Sequence, residues 1–212
     1  MATPQEREIK FRVLDLKALE DTLRQNGFRC KTSSTHEINT LYDLPGQKLR
    51  RKGELLRLRC YGDKWKLTHK SKGKLGRHKS RGELETGVTD GKVMDAMLRA
   101  LGYLPSFIYE KFRAEWEDGE GNVVLDHTPL GDIAEIEGAA RWIDRTARLL
   151  GIATKDYMTQ SYAELFFAWK RKTKCKAMNM TFRECDKCRK NEEAQARSPQ
   201  RRQRTSSKRR TR

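Results

Sequence analysis

The chain has 212 residues, enough for one good-sized domain with appendages, and it contains no apolar run of 18 residues, which excludes a membrane-spanning helix. Basic residues exceed acidic residues by 17, but residues 170–212 contribute +13 of this excess and residues 1–169 only +4. A nucleic-acid-binding function inferred from the overall charge would therefore explain the C-terminal tail and not the main part of the chain.

The predicted elements alternate short strands with a few helices, and no internal repeat is apparent. Residues 5–13 form the first predicted strand. Asp15 then caps a helix that carries Leu16, Leu19 and Leu23 on one face. Further strands are predicted at 37–43, 54–61, 64–70, 81–88, 108–117, 122–128 and 133–137, and further helices at 92–101, 140–150 and 160–170.

Charged residues alternate with apolar ones along most of these strands. In the first strand Glu6, Glu8 and Lys10 share one face, and Ile9 and Phe11 share the other. A single face of this kind is most simply a solvated outer surface. Because several strands show it, and because helices with clear apolar faces must also pack on the sheet, we predict a closed barrel with its apolar side outward and a charged, polar tunnel inside.

The charged residues of this predicted tunnel fall into two chemical sets. Crowded carboxylates repel one another unless a divalent cation neutralises them, and an oxygen-only donor set favours Mg²⁺ or Mn²⁺. Arginine forks and lysine ammonium groups suit a polyphosphate. Together the two sets indicate phosphoryl or nucleotidyl transfer. The acidic set is Glu6, Glu8, Glu83, Glu85, Asp126, Glu135 and Glu137, and the basic set is Lys10, Arg57, Arg59, Lys66, Lys70, Lys111 and Arg113.

These residues also occur in motifs that resemble the CYTH superfamily, the triphosphate tunnel metalloenzymes. The first strand carries the E-x-E-x-K signature as Glu6, Glu8 and Lys10, and the similarity extends over roughly residues 5–170. The resemblance implies an α+β fold, an eight-stranded antiparallel barrel with helices packed outside, whose tunnel binds a triphosphate with Mg²⁺ or Mn²⁺. The later motifs follow in family order: Leu56-Arg57-Leu58-Arg59, Lys70, Glu83-x-Glu85, Lys111-x-Arg113, Asp126, Glu135-x-Glu137 and Ser161-Tyr162.

The resemblance also implies roles for individual residues. Glu6, Glu8, Asp126, Glu135 and Glu137 are the implied metal ligands, and Glu83 and Glu85 either complete the metal shell or orient basic residues. The implied triphosphate ligands are Lys10, Arg57, Arg59, Lys70, Lys111 and Arg113, with Lys66 in the same basic set. Counted as catalytic machinery are Glu6, Glu8, Lys10, Arg57, Arg59, Lys70, Lys111 and Arg113.

Within the family, the segments 101–113 and 130–136 look most like the class IV adenylate cyclases, phosphorus-oxygen lyases that convert ATP to cyclic AMP and pyrophosphate. Glu137 is typical of the triphosphatases as well, so hydrolysis of thiamine triphosphate, inorganic triphosphate or a nucleoside triphosphate is the alternative. A second alternative is a polyphosphate- or nucleic-acid-binding module without turnover. Seven carboxylates would hinder simple anion binding, which favours an enzyme.

The C-terminal part of the chain, residues 171–212, is interpreted separately from the predicted tunnel domain. We expect residues 1–170 to form the tunnel domain and residues 171–212 a basic, largely disordered tail that either aids solubility or contacts nucleic acid nonspecifically. Residues 175, 185 and 188 are cysteines, but they lack the fourth ligand of a structural zinc site. The chain has five cysteines, an odd number, and no apolar leader in its first ten residues, so we expect reduced thiols in a cytoplasmic protein. The sequence does not specify an oligomeric state.

Overall fold

Eight antiparallel strands close into a barrel in the computed structural model, which describes residues 5–74 and 76–190. Their order around the barrel is β1-β5-β4-β3-β2-β6-β7-β8. This confirms the predicted barrel and each predicted strand. The strands are β1 (Gln5–Arg12), β2 (Arg29–Asp43), β3 (Leu55–Tyr61), β4 (Lys64–Lys70), β5 (Lys79–Val88), β6 (Leu104–Glu117), β7 (Gly121–Thr128) and β8 (Gly131–Gly138).

The predicted helices are also present, and they pack outside the barrel as expected. They are α1 (Leu16–Gln25), α3 (Gly91–Ala100), α4 (Ala140–Leu149) and α5 (Tyr162–Thr173). Three further helical segments were not predicted: α2 (Lys48–Lys52), a 3-10 turn at Thr154–Asp156, and a helical segment over residues 182–190. No described helix has both the length and the apolar character needed to cross a membrane.

Charged and apolar residues alternate along β1, so that one face of the strand lines the lumen and the other packs in the apolar core under the helices. Glu8 and Lys10 point into the lumen, whereas Ile9 and Phe11 point outward and join a core with Ile143 of α4. All of these side chains are buried. A strand whose two faces are both covered therefore carries its charges on the inner face, the reverse of an ordinary half-buried sheet.

Two glycines let α4 approach the barrel closely. A Cβ atom at Gly121 would lie 2.5 Å from the ring of Trp142, and one at Gly138 would lie 2.9 Å from it. The indole is buried in this contact and donates its Nε1–H to Asp118 Oδ2 at 2.8 Å. The β7–β8 end of the barrel is thus shaped to receive α4.

Helix α5 lies near one end of the lumen. Ser161 caps it in a capping box with Glu164, which fixes where the helix begins. Phe166 packs on Phe107 of β6 with ring centroids 5.2 Å apart, and Tyr162 stacks on Tyr109 at 5.7 Å. The first residues of α5 consequently line the lumen, and the rest of the helix covers the outer face of the barrel.

Residues 171–190, which we assigned to the basic, largely disordered tail, are ordered and pack against the barrel. Cys175, Met180 and Cys185 are buried in the core around α5. Met180 also pairs with β6, donating its N–H to Ile108 and accepting from the N–H of Glu110. These apolar residues are widely spaced among basic ones, and so the composition concealed them. Residues 191–212 lie outside the described residues, and the tail prediction for them stays a prediction.

The expectation of reduced thiols is also corrected. Cys175 and Cys188 form a disulfide, with Cα atoms 5.6 Å apart, which ties the end of α5 to the helical segment 182–190. Cys30, Cys60 and Cys185 are free. Burial raises the pKa of the Cys185 thiol to about 11, so it is protonated at neutral pH.

Candidate active site in the barrel lumen

The lumen holds a cavity of about 380 Å³ lined almost entirely by charged and polar side chains. The structure brings nearly all of the predicted site residues to its wall, and Asp126 is the exception. It also adds residues outside the predicted site, notably Lys79, Arg81 and Tyr109. The predicted residues on the wall are Glu6, Glu8, Lys10, Arg57, Arg59, Lys66, Lys70, Glu83, Glu85, Lys111, Arg113, Glu135 and Glu137.

Three of the predicted metal ligands form a carboxylate triad, Glu6, Glu8 and Glu137. One oxygen of each lies within 4.8 Å of the others. Burial raises the pKa of Glu137 well above its ordinary value, and the neighbouring charges of Glu135 and Glu8 raise it further. This repulsion, in an oxygen-only donor set, is the condition that a hard divalent cation relieves. The triad therefore fits Mg²⁺ or Mn²⁺.

Two lysines, Lys10 on β1 and Lys70 on β4, partly neutralise the triad. Lys70 Nζ lies 2.6 Å from Glu6 Oε1. Burial would raise the pKa of Glu6, but Lys70 and Arg81 outweigh it and lower that pKa to about 2. Lys10 Nζ lies 2.8 Å from Glu8. Burial would lower the pKa of Lys10, and the charges of Glu135 and Glu8 raise it instead. Glu6 and Glu8 are thus ionised and available at neutral pH.

The two acids of β5 point to the basic wall. Glu85 accepts hydrogen bonds from Lys66 Nζ at 2.6 Å and from Arg59 Nη2 at 3.1 Å. Glu83 lies 3.0 Å from Lys70 Nζ and 3.9 Å from Arg57 Nη2. The sequence left two roles open for Glu83 and Glu85, completing the metal shell or orienting basic residues. Their contacts match the second role.

Asp126 is a buried counterion in this structure. It is fully buried and accepts from Lys111 Nζ at 2.9 Å, from Arg113 Nε at 2.8 Å and from the hydroxyl of Tyr162. Arg113 reaches across to Glu135 Oε2 at 2.9 Å as well. Asp126 therefore holds two cations of the wall in place and stands apart from the carboxylate triad.

The sequence analysis missed a second buried counterion, Glu37. It is fully buried, with oxygens 3.5 Å from Lys111 Nζ and 3.6 Å from Arg59 Nη1. Burial would raise its pKa, but these cations and Arg113 lower it. The available signal was its position in β2, two residues before the inward-facing Asn39, which donates to it at 2.8 Å.

The basic wall keeps unused hydrogen-bond donors. Among the described residues, the Nε atoms of Arg57, Arg59 and Arg81 are buried and have no acceptor. All three side chains line the cavity. An unpaired buried donor is costly, so these groups fit an acceptor-rich ligand that fills the lumen.

The CYTH domain family model matches residues 4–162. No curated protein matches the chain significantly.

Several solved structures share the fold. A Vibrio parahaemolyticus protein, provisionally named an adenylate cyclase, is 23% identical with a TM-score of 0.70, and the match covers 78% of this chain and 99% of that one. A Pyrococcus horikoshii protein is 24% identical with a TM-score of 0.65, covering 76% and 98%. A Hippeastrum protein, provisionally named an adenylyl cyclase and described with a dominant triphosphatase activity, is 20% identical with a TM-score of 0.59, covering 77% and 96%. At these identities the likeness establishes the fold.

Proposed function

The chain belongs to the CYTH domain family, and from this membership we propose that it is a metal-dependent enzyme that acts on a triphosphate inside the barrel lumen. One observation carries the proposal: the same cavity holds a triad of crowded carboxylates and a wall of cations with unused buried donors. A triphosphate with a divalent cation supplies what each set lacks, positive charge for the first and acceptor oxygens for the second.

In this proposal the basic wall binds and orients the triphosphate. Arg57 and Arg59 present guanidinium groups that match phosphate oxygens, and Lys70 adds a point charge. Their positions are held in advance by Glu83, Glu85 and the buried counterions, so little reorganisation is needed as negative charge shifts between phosphate oxygens during bond cleavage.

Glu6, Glu8 and Glu137 are the residues that would hold Mg²⁺ or Mn²⁺. When bound there, such an ion polarises phosphate oxygens and neutralises part of their charge. The lysines beside Glu6 and Glu8 keep both carboxylates ionised and ready to bind it.

The preferred reaction is the cyclase reaction. In it the 3′-hydroxyl oxygen of ATP bonds to the α-phosphorus, the bond from that phosphorus to the bridging oxygen breaks, and pyrophosphate leaves with cyclic AMP as the other product. The segments 101–113 and 130–136, which look like the class IV cyclases, support this choice.

The second candidate is a triphosphatase, in which the oxygen of a water molecule bonds to the terminal phosphorus and the bond from that phosphorus to the bridging oxygen breaks. The remaining diphosphate leaves, and orthophosphate is the other product. Glu137 supports it, because the second acid of the Glu135-x-Glu137 pair is typical of triphosphatases as well and lies in the carboxylate triad. The activity described for the Hippeastrum protein points the same way.

Product analysis tests the proposal. The chain is incubated with ATP, thiamine triphosphate or inorganic triphosphate, each with Mg²⁺ or Mn²⁺, and the products are separated by chromatography. Cyclic AMP with pyrophosphate supports the cyclase, and orthophosphate without cyclic AMP supports the triphosphatase. 3′-Deoxy-ATP is the matched substrate control, since it lacks only the nucleophile of the cyclase reaction. No turnover of any triphosphate, with either metal, would contradict the proposal.

A further inference from the structure

A second cavity lies outside the barrel. It is an open groove of about 550 Å³ between α2 and the outer face of β3 and β4. Leu49 and Leu56 contribute apolar surface to it, and the ring of Tyr103 lies beside them, half-buried. The groove therefore offers a concave apolar floor with one aromatic face.

The rim of this groove is strongly basic. Lys48, Arg51 and Lys52 line it and are exposed, whereas Glu54 is the single acidic residue in its lining. Across the described ranges, none of these three cations has a carboxylate within ion-pair distance, although Glu54 lies 4.0 Å from His69. Unlike the cations of the lumen, those of the rim are uncompensated.

The basic surface continues beyond the groove on both sides of α2. Lys72 lies against the end of α2, where a Cβ atom on Gly53 would come within 3.1 Å of its Cγ. On the other side the guanidinium of Arg50 lies over the ring of Phe167 in α5, 5.2 Å from its centre. Lys170 and Arg171 follow Phe167 by three and four residues and so share its side of the helix. The result is a continuous cationic band across α2 and α5.

We propose that this groove and band form a binding surface for single-stranded nucleic acid. Successive phosphates would follow the cationic band, and a base would lie in the groove against Tyr103 and the leucines. Backbone neutralisation combined with an aromatic platform is the arrangement that such ligands require. The apolar element is a recess, which admits an unpaired base, whereas a duplex keeps its base faces stacked. This surface is independent of the reaction in the lumen.

Fluorescence anisotropy with the full chain tests the proposal. The probe is a 12-nucleotide oligouridylate with a 3′ dye and no 5′-triphosphate, in the presence of excess inorganic triphosphate so that the lumen does not compete. Arg51→Glu combined with Lys52→Glu should weaken binding about tenfold and reduce the salt slope by about 1.4, since each single-strand phosphate contact contributes about 0.7. Tyr103→Ala should weaken binding by about five- to 150-fold, and Tyr103→Phe should restore it.

The matched control makes the same change in charge elsewhere. Arg141→Glu combined with Lys155→Glu alters two exposed cations in and near α4. This control variant should retain most of the affinity for oligouridylate. Turnover of whichever triphosphate the lumen accepts should stay unchanged in both double variants. Equal losses in the two double variants would overturn the proposal, because binding would then depend on overall charge. So would a variant at Arg51 and Lys52 that retains oligouridylate binding but loses binding to phosphatidylserine vesicles.

Discussion

Replacing Asp126 by asparagine tests whether this carboxylate is a counterion of the basic wall or a metal ligand. The carboxylate accepts from Lys111 Nζ, from two nitrogens of Arg113 at 2.8 and 2.7 Å, and from Tyr162. Asparagine keeps the shape of the side chain but removes its negative charge. Its amide N–H₂ group also faces Lys111, Arg113 and Tyr162, which are themselves hydrogen-bond donors. Breaking a buried ion pair by removing one partner costs about 3–5 kcal/mol. For a chain of this size that loss corresponds to a fall in Tm of roughly 6–20 °C.

The assay is urea and thermal unfolding in EDTA, with Glu137→Gln as the matched carboxylate-to-amide control. The raised pKa of Glu137 means that the wild type loses stability as the pH rises through that pKa, a loss that the glutamine variant lacks. In EDTA at neutral pH, Glu137→Gln should therefore be at least as stable as the wild type.

Adding Mg²⁺ or Mn²⁺ completes the comparison. An ion that binds the native state raises Tm. We expect Asp126→Asn to keep this increase from its lower starting value and Glu137→Gln to lose it. The counterion role would be refuted if Asp126→Asn had the Tm of the wild type in EDTA and if adding metal did not raise that Tm.

Three further predictions concern the triad, acid stability and the disulfide. Glu8→Gln should abolish triphosphate turnover, measured by product release. Excess EDTA should abolish the turnover of the wild type in the same assay. Persistent activity in either experiment would contradict the metal site. Because Lys70 helps to hold the pKa of Glu6 at about 2, this carboxylate stabilises the fold above pH 4.5 and the contribution disappears as the pH falls toward 2. Urea unfolding in EDTA of the wild type and Glu6→Gln should therefore differ near pH 6 and converge near pH 2. Cys175→Ser should lower the free energy of unfolding by about 3 kcal/mol, from the chain entropy of the 13-residue separation to Cys188, and dithiothreitol should add nothing further.

Local alternation was sufficient to predict the barrel strands, because the period of two is strong wherever apolar and charged residues face opposite covered sides. It failed at residues 29–36, where β2 is polar on both faces and its pairing with β6 shifts at Cys30, Thr32 and Thr35. It also failed at α2, a five-residue helix with no apolar face of its own. That helix depends on the buried carboxylate of Asp43, which accepts from the N–H groups of Leu49 and Arg50.

The composition of the candidate site was predictable, but the pairing of its side chains was not. Period two indicates which residues face the lumen, whereas the register between strands decides which of them meet. Asp126 lies opposite Arg113 in the hairpin of β6 and β7, and Glu37 lies opposite Lys111 through the pairing of β2 with β6, which are distant in the sequence. The hydrophobic pattern limits that register to steps of two residues but does not choose among them for distant strands, so the sequence did not distinguish buried counterions from free carboxylates.

The pairing of Met180 with β6 affects how the nascent chain reaches its native state. β6 pairs with β7 only from Phe112 onward, and the backbone groups of Ile108 and Glu110 face Met180 instead. During synthesis every strand has emerged once Gly138 is released, yet this edge has no partner until Met180 follows. An open strand edge can pair with another chain. This edge of the closed barrel is therefore covered only after all eight strands have been synthesised, and until then the growing chain is vulnerable to association at the edge that the segment around Met180 later covers.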